Sequence, residues 1–256
     1  VHSIKGSIKG FEEGYLLKAI EVRDLVKTYG KFTAVKGISF SVDVGEIFGL
    51  IGPNGAGKTT TLRILATLLQ ISSGRVRIFD KDLERDQDEI RKIISYLPED
   101  AGAYKNLTGR EYLKFIAAFF DPSLGKQYES IVERGISIAN LGKRIDDKVE
   151  TYSKGMTRRL LVGRALMVKP KIAILDEPTS GLDVINAKEI RNIVRKASAE
   201  GMTVLLSSHN MLEVEFLCDR IALINDGKIV ETGSPKELKE KYSAENIEDV
   251  FVKVVS

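Results

Sequence analysis

Ile47-Phe48-Gly49-Leu50-Ile51-Gly52-Pro53-Asn54-Gly55-Ala56-Gly57-Lys58-Thr59-Thr60 is the stretch that decides the fold. Ile47 to Ile51 is a short, nearly continuous apolar run, as in a parallel strand covered on both faces. Gly52 to Thr59 then fits the phosphate-binding loop pattern G-x-x-x-x-G-K-[ST]. Glycines let the main chain curl so that successive N–H groups point at phosphate oxygens, and the helix that starts there adds its positive end. Lys58 would reach the terminal phosphates of a nucleotide, and the Thr59 hydroxyl would hold Mg²⁺. Leu62, Leu65, Ala66 and Leu69 mark one face of the departing helix. The bland alternative is a glycine turn before an ordinary helix. A buried strand entering and an apolar helix leaving favour phosphate.

Outward from this unit, strands and helices alternate. Ile38-Ser39-Phe40-Ser41-Val42 has the period of two of a half-buried strand, and Ser72-Ser73-Gly74 turns into another at Val76 and Ile78. These predict an antiparallel edge sheet beside the nucleotide-binding core. From about Glu99 to Arg164 the strand pattern disappears. Thr108-Gly109-Arg110-Glu111 reads as a capping box, and Leu113, Ile116, Ala117 and Phe120 carry the helical stripe up to Asp121-Pro122. A second helix is expected from about Gly125 to Ala139, so that 99–164 forms a helical sub-lobe with enough apolar surface to pack. Strands return at Lys171 to Leu175 and Met202 to Ser207, around a helix whose Ile190, Ile193, Val194 and Ala197 share a face. Ile221–Ile224 and Lys228–Val230 flank Asn225-Asp226-Gly227 as a hairpin. Ser234-Pro235-Lys236-Glu237 opens a late helix with a capping pair. The expected organisation is a leader at 1–18, a core made of 19–98 and 165–242, the sub-lobe between them, and a tail at 243–256.

Composition narrows the function classes. With 43% hydrophobic and 29% charged residues in 256, the chain is a globular protein with a core, not a disordered or fibrous one. No apolar stretch approaches the ~18 residues that cross a bilayer. Thirty-nine basic against 36 acidic residues leave +3, too little bias to argue for nucleic acid. The single cysteine, Cys218, excludes an internal disulfide and a cysteine-based zinc site, and suits a reducing cytoplasm. It is expected to be a packed, inert thiol. The leader shows no apolar block of about 7 residues, so no secretory signal is expected.

Ile172-Ala173-Ile174-Leu175-Asp176-Glu177 is an apolar strand ending in two carboxylates. Asp176 could hold the Mg²⁺ shell, while Glu177 could orient or deprotonate an attacking water. Phosphoryl transfer needs that division, because its catalysis is mostly positioning and charge neutralisation. A strand followed by Asp-Glu is, alone, usually just a solvated strand end; paired with the loop at Gly52 it is far more specific. Thr151-Tyr152-Ser153-Lys154-Gly155-Met156 precedes a further helix. Its serine and glycine form a second anion site, which one nucleotide does not need. Taken alone, Ser153 reads as an N-cap.

In motif order the chain resembles the ATP-binding subunit of an ATP-binding cassette (ABC) transporter: phosphate loop, the loop at Glu99, signature, Asp-Glu strand, Ser180-Gly181-Leu182-Asp183, then His209. The similarity spans roughly Ala19 to Tyr242 and is strongest to the exporter (ABC-2-like) branch, whose membrane subunits are separate polypeptides. The resemblance implies an α/β, RecA-like P-loop NTPase core and hydrolysis of Mg²⁺-ATP. It also implies a head-to-tail pair of such subunits with two nucleotides between them. Ser153 and Gly155 would then meet the γ-phosphate held by the other copy's Lys58, which accounts for the surplus anion site. Tyr29 sits where the family stacks an aromatic ring on adenine, although spacing alone does not distinguish this from a half-buried strand-end tyrosine. His209 matches the switch histidine that contacts γ-phosphate, and Asp183 would lie at the pair interface. Gly52, Pro53, Asn54, Gly55, Ala56, Gly57, Lys58, Thr59 and Thr60 would cradle the nucleotide. Two departures stand out: Glu99 replaces the usual Gln, and Tyr152, Lys154 and Met156 replace three of the five signature residues L-S-G-G-Q. Glu99 can still approach Mg²⁺ and the water.

The implied setting is cytoplasmic, at the inner face of the cell membrane, with permease subunits as partners and no nucleic acid. The expected docking surface is the helical lobe with the loop from Glu99 to Tyr104. Two rival readings are a DNA-repair-like ABC ATPase and a nucleotide-sensing scaffold with little turnover. The first resembles the chain less, because such proteins place a long coiled coil between phosphate loop and signature. Here Lys58 and Ser153 lie only 95 positions apart.

Overall fold

In a computed structural model, residues 17–120 and 122–256 are described. The expected leader therefore lies outside the described residues except for Leu17 and Lys18. The chain opens with a long antiparallel hairpin of β1 (Lys18–Tyr29) and β2 (Phe32–Asp43), followed by β3 (Ile47–Ile51) and helix α1 (Lys58–Leu65). β4 (Ser73–Ile78), β5 (Lys81–Asp82), the short α2 (Gln87–Arg91) and β6 (Ile94–Leu97) follow. Helices α3 (Gly109–Phe120), α4 (Lys126–Ala139) and α5 (Lys154–Leu166) come next. The chain then returns through β7 (Ile172–Leu175), α6 (Val184–Ala199), β8 (Thr203–Ser208), α7 (Met211–Val214), β9 (Arg220–Asn225) and β10 (Lys228–Gly233). It closes with α8 (Pro235–Tyr242) and α9 (Ile247–Val255).

The strands build two sheets, β2-β1-β4-β5 and β10-β9-β3-β8-β7-β6. The first is antiparallel; the second is parallel except for the β9–β10 hairpin. β3 is buried along its whole length because it is flanked by β8 and β9 and covered on both faces. Its side chains alternate between two apolar clusters: Ile47 and Ile51 face the helical side, Phe48 and Leu50 the edge sheet. β7, β8 and β9 alternate in the same way, as the period of two of a strand requires. On the edge-sheet side, Phe48 stacks on Phe40 of β2 with ring centroids 5.5 Å apart, and α1 contributes Leu62, Ile64 and Leu65. α1 is thus buried against both sheets, and the loop that feeds it is fixed at both ends.

Both capping boxes form as written. Thr108 Oγ1 accepts from the Glu111 N–H while Glu111 accepts from the Thr108 N–H, and Ser234 and Glu237 do the same. At the β9–β10 turn Asp226 and Gly227 both adopt positive φ, 44° and 75°. That is the turn whose twist matches a hairpin. Two expectations differ. α5 runs unbroken through the anticipated boundary between 164 and 165, because Leu160, Leu161, Ala165 and Leu166 are all buried in one cluster that joins lobe and sheet. The expected tail is a helix: α9 is capped by Asn246 and buries Ile247 and Val250 completely. Ionic contacts fasten this end, with Glu215 accepting from the Ile247 N–H and from Lys239.

Candidate active site at the strand ends

β3, β7 and β8 run parallel and in register, with Leu50 beside Ser207 and Leu175 beside Leu206. Their carboxyl ends therefore deliver three loops to one place, where open α/β sheets bind ligands. The loop after β3 is Gly52–Gly57. Gly55 and Gly57 adopt φ of +81° and +104°, conformations open to glycine at little cost. A Cβ on Gly57 would lie 2.7 Å from the Ala34 carbonyl oxygen of β2. The Gly227 N–H donates to the Ala56 carbonyl and the Lys36 N–H to Gly227, so the edge sheet and the β9–β10 turn brace the loop. Gly57 is the N-cap of α1 and offers no side chain, leaving the first main-chain donors of that helix free for an anion.

Lys58 is buried, with its ammonium 2.8 Å from the Gly52 carbonyl and 3.1 Å from that of Pro53. It also lies 3.4 Å from Glu177 Oε1. That is ion-pair distance without hydrogen-bond alignment, so Oε1 is a buried carboxylate oxygen with no donor of its own. The other oxygen, Oε2, is 2.9 Å from Nδ1 of His209. Glu177 therefore meets a cation on one side and an imidazole on the other.

Asp176 beside it is 1% exposed and surrounded by donors. Ser207 donates to its Oδ1 at 2.5 Å, Thr59 to the same oxygen at 3.2 Å, and Tyr96 to Oδ2 at 3.3 Å. Burial and the neighbouring Asp176 charge push the Tyr96 phenol up to about 12, so it stays a donor. Ser207 also accepts from the Glu177 N–H at 2.9 Å, tying the two acids together.

The remaining expected residues sit elsewhere. Glu99 is exposed, and its carboxylate accepts from Ser180 Oγ at 3.1 Å, not from the Thr59 or Asp176 side. Tyr29 ends β1, is 44% exposed and carries Lys27 Nζ 5.1 Å from its ring centroid. Ser153 caps α5 by accepting from the Met156 N–H. A Cβ on Gly155 would lie 2.2 Å from Asn186 Cγ, so a side chain there would displace the Asn186 amide. Asp183 caps α6, accepting from the Asn186 N–H and side-chain amide, which hold its carboxyl below the usual range. Among the described residues no hydrogen bond or ion pair links Ser153 or Gly155 to the phosphate loop.

Three contributors went unrecognised as site residues in the sequence. Ser207 carried a signal, because a serine inside the fully buried run Thr203–Ser208 must find partners. Tyr96 was a strand residue like any other. Arg158 is indistinguishable in sequence from its neighbour Arg159, yet it is buried and donates to three main-chain carbonyls. Cys218 is buried as expected, and burial pushes its thiol up.

A family model described as ABC transporter matches residues 35–180. The chain belongs to this family. Among curated relatives of this ABC protein is the linearmycin resistance ATP-binding protein LnrL of Bacillus subtilis. It is 38% identical over 228 residues, covering 89% of this chain and 73% of LnrL. A fluoroquinolones export ATP-binding protein of Mycobacterium tuberculosis is 39% identical over 227 residues, 87% of this chain and 73% of that one. Among solved structures, a dimeric post-hydrolysis ATP-binding cassette bound to ADP and Pi superposes with a TM-score of 0.74. It is 26% identical and covers 84% of this chain and 98% of that one. The chain is an ABC ATPase subunit: it binds ATP and hydrolyses it, its fold is that of the P-loop cassettes, and such cassettes dimerise and work with membrane permease subunits.

Proposed function

We propose that the chain powers export through separate membrane subunits, using the acids at the end of β7 as its hydrolytic centre. The observation that carries this reading is the placement of Glu177 between Lys58 and His209, with Asp176 held beside it. In this reading Gly52 to Thr60 cradle the phosphates, with Lys58 on the terminal ones. Glu177 takes the proton of the attacking water, and its oxygen without a donor is free to do so. His209 contacts the γ-phosphate and, through Nδ1, steadies Glu177. Tyr29 stacks on adenine, which its exposed ring at the strand end allows.

Thr59 and Asp176 would hold Mg²⁺. A hydroxyl and a carboxylate 3.2 Å apart are the hard oxygen donors this ion prefers. Bound there, the ion would neutralise charge on the transferred phosphoryl group. Among the described residues no cluster of three or more His, Cys, Asp or Glu makes a self-sufficient metal site, so phosphate and water would complete its shell. Glu99 would serve from the rim, facing the water side.

The second copy is read as head-to-tail, with Ser153 and Gly155 on the facing nucleotide and Asp183 at the junction. The outward position of the signature turn, with no bond to its own phosphate loop, supports this. For the membrane partner, Tyr104, Phe115 and Phe119 form an exposed edge-to-face ridge with centroids 5.4 and 5.2 Å apart. A contiguous exposed aromatic patch marks a protein contact. No helix among the described residues is long and apolar enough to cross a membrane. The chain is thus assigned to the cytoplasmic face of the membrane, held there by its partner. Relatives named for drug resistance and export support the direction of transport, and the near-neutral charge argues against nucleic acid.

Glu177→Gln tests this. Phosphate release should fall about 1,000-fold, as expected when a positioned base is lost. The protein should then form an ATP-dependent dimer visible by light scattering. Turnover within tenfold of wild type would remove Glu177 from the reaction.

A further inference from the structure

Glu177 is built into the chain in an unusual way. Its φ is +48°, in the left-handed region that a residue with a Cβ seldom occupies. Such a conformation persists only where surrounding groups over-determine it. Both main-chain groups of Glu177 are in fact captured by side chains. Its N–H donates to Ser207 Oγ at 2.9 Å, and its carbonyl accepts from the Arg158 guanidinium at 2.9 Å. Ser207 lies in β8, the strand paired with β7, which Glu177 follows. Arg158 lies in α5, one turn beyond the Ser153 cap of the signature helix.

The same guanidinium reaches two more carbonyls, Glu99 at 3.1 Å and Pro98 at 3.4 Å. Arg158 is only 6% exposed, and its charge faces three carboxylates, those of Glu99, Asp176 and Glu177. Burial works against the cation, while these charges and carbonyls favour it. A planar fork can serve several acceptors at fixed angles, which an ammonium cannot. α5 has ample apolar anchorage without this contact, through Leu160, Leu161 and Leu166.

We propose that Arg158 is a positioning residue for hydrolysis: from the signature helix it fixes the main chain of Glu177 and ties it to the loop at Pro98–Glu99. The inference rests on the reading of Glu177 as the base. It adds that movement of the signature helix against the sheet is transmitted to the base through one side chain. A displaced Glu177 would still leave the phosphate loop intact, so binding and turnover should separate.

The test uses the full chain carrying Arg158→Gln or Arg158→Lys, with steady-state phosphate release, ATP titration and thermal melting on each. Arg158→Gln should stay folded and lose about 100-fold in kcat, the scale of a misplacement of about 1 Å. Its KM for ATP should stay within about threefold, the mark of an interaction that acts on the reaction step and not on binding. Arg158→Lys, which keeps the charge and a donor group but not the planar fork, should fall between wild type and Arg158→Gln. A folded Arg158→Gln protein turning over like wild type would overturn the proposal. So would a KM that rises in step with the loss of kcat, a lysine variant no better than the glutamine one, or failure of both to fold. A wild type that binds ATP without turnover would sink the assignment of Glu177 itself, and this inference with it.

Discussion

The two regions that the proposed function sets against phosphate are built in opposite ways. Around the phosphate loop, Lys58, Thr59, Asp176, Glu177, Ser207 and His209 contact one another within one chain, on the ends of three adjacent strands. At the signature turn, Ser153 and Asp183 spend their side-chain oxygens on local helix caps, and Gly155 packs on Asn186. The first region is assembled by the sheet and is complete before anything arrives. The second is a shaped surface, finished at its own helix ends, that in the proposed head-to-tail pair would act only when another subunit faces it. Nucleotide affinity of the isolated chain should therefore depend on the first region, and turnover on both.

Lys58→Ala is the strongest way to break that contrast. It removes the ammonium proposed to meet the phosphates and leaves Glu177 buried without its cation, at 4% exposure. Loss of a charged hydrogen bond to phosphate costs about 1.5–3 kcal/mol, so ATP affinity should drop about 10- to 100-fold in a binding titration, while the unpaired Glu177 lowers thermal stability. Retained affinity would mean that the main-chain donors of the loop suffice alone.

Ser153→Ala probes the other region and should give the complementary pattern. The helix cap is worth about 1 kcal/mol, a modest fall in thermal stability. ATP binding by the isolated chain should be unchanged, while turnover falls about 100-fold, the cost of losing one donor to a developing phosphate charge. If binding and turnover fell together, Ser153 would belong to its own chain's nucleotide site and the outward reading would be wrong.

The same contrast explains what could be read from the amino-acid order. The phosphate loop is legible because its chemistry is local: a glycine pattern, a lysine and a threonine occupy consecutive positions between a buried strand and an amphipathic helix. Edge-sheet strands at β2 and β4 follow from the period of two, the central strand from a short apolar run, and the capping boxes from residues three apart. Arg158 was not legible as a site residue, and Ser207 showed only as a buried serine in need of partners, since their roles arise from contacts between α5, β7 and β8, far apart in sequence. The left-handed conformation of Glu177 is likewise a product of packing. α9 was missed for a different reason. Ile247, Val250, Phe251 and Val254 do stand at helical spacing, but Val250, Val252 and Val254 are β-branched and alternate along the chain, so the segment reads equally as a strand until its neighbours are placed.

Glu99 lies between the two regions, and replacing it should have the smallest effect. Its main-chain carbonyl is held by Arg158, and its carboxylate takes the Ser180 hydroxyl. Glu99→Gln keeps an acceptor oxygen at that place, so the Ser180 contact and the course of the loop should persist. An exposed charge contributes little to binding energy across solvent, less than about 1 kcal/mol. ATP affinity should thus stay within about threefold of wild type, while kcat shifts only to the extent that Glu99 faces the attacking water. An isothermal titration showing a tenfold loss of ATP affinity would place the Glu99 carboxylate on the nucleotide itself. It would then join the preassembled region at the strand ends, not the rim that links it to the signature turn.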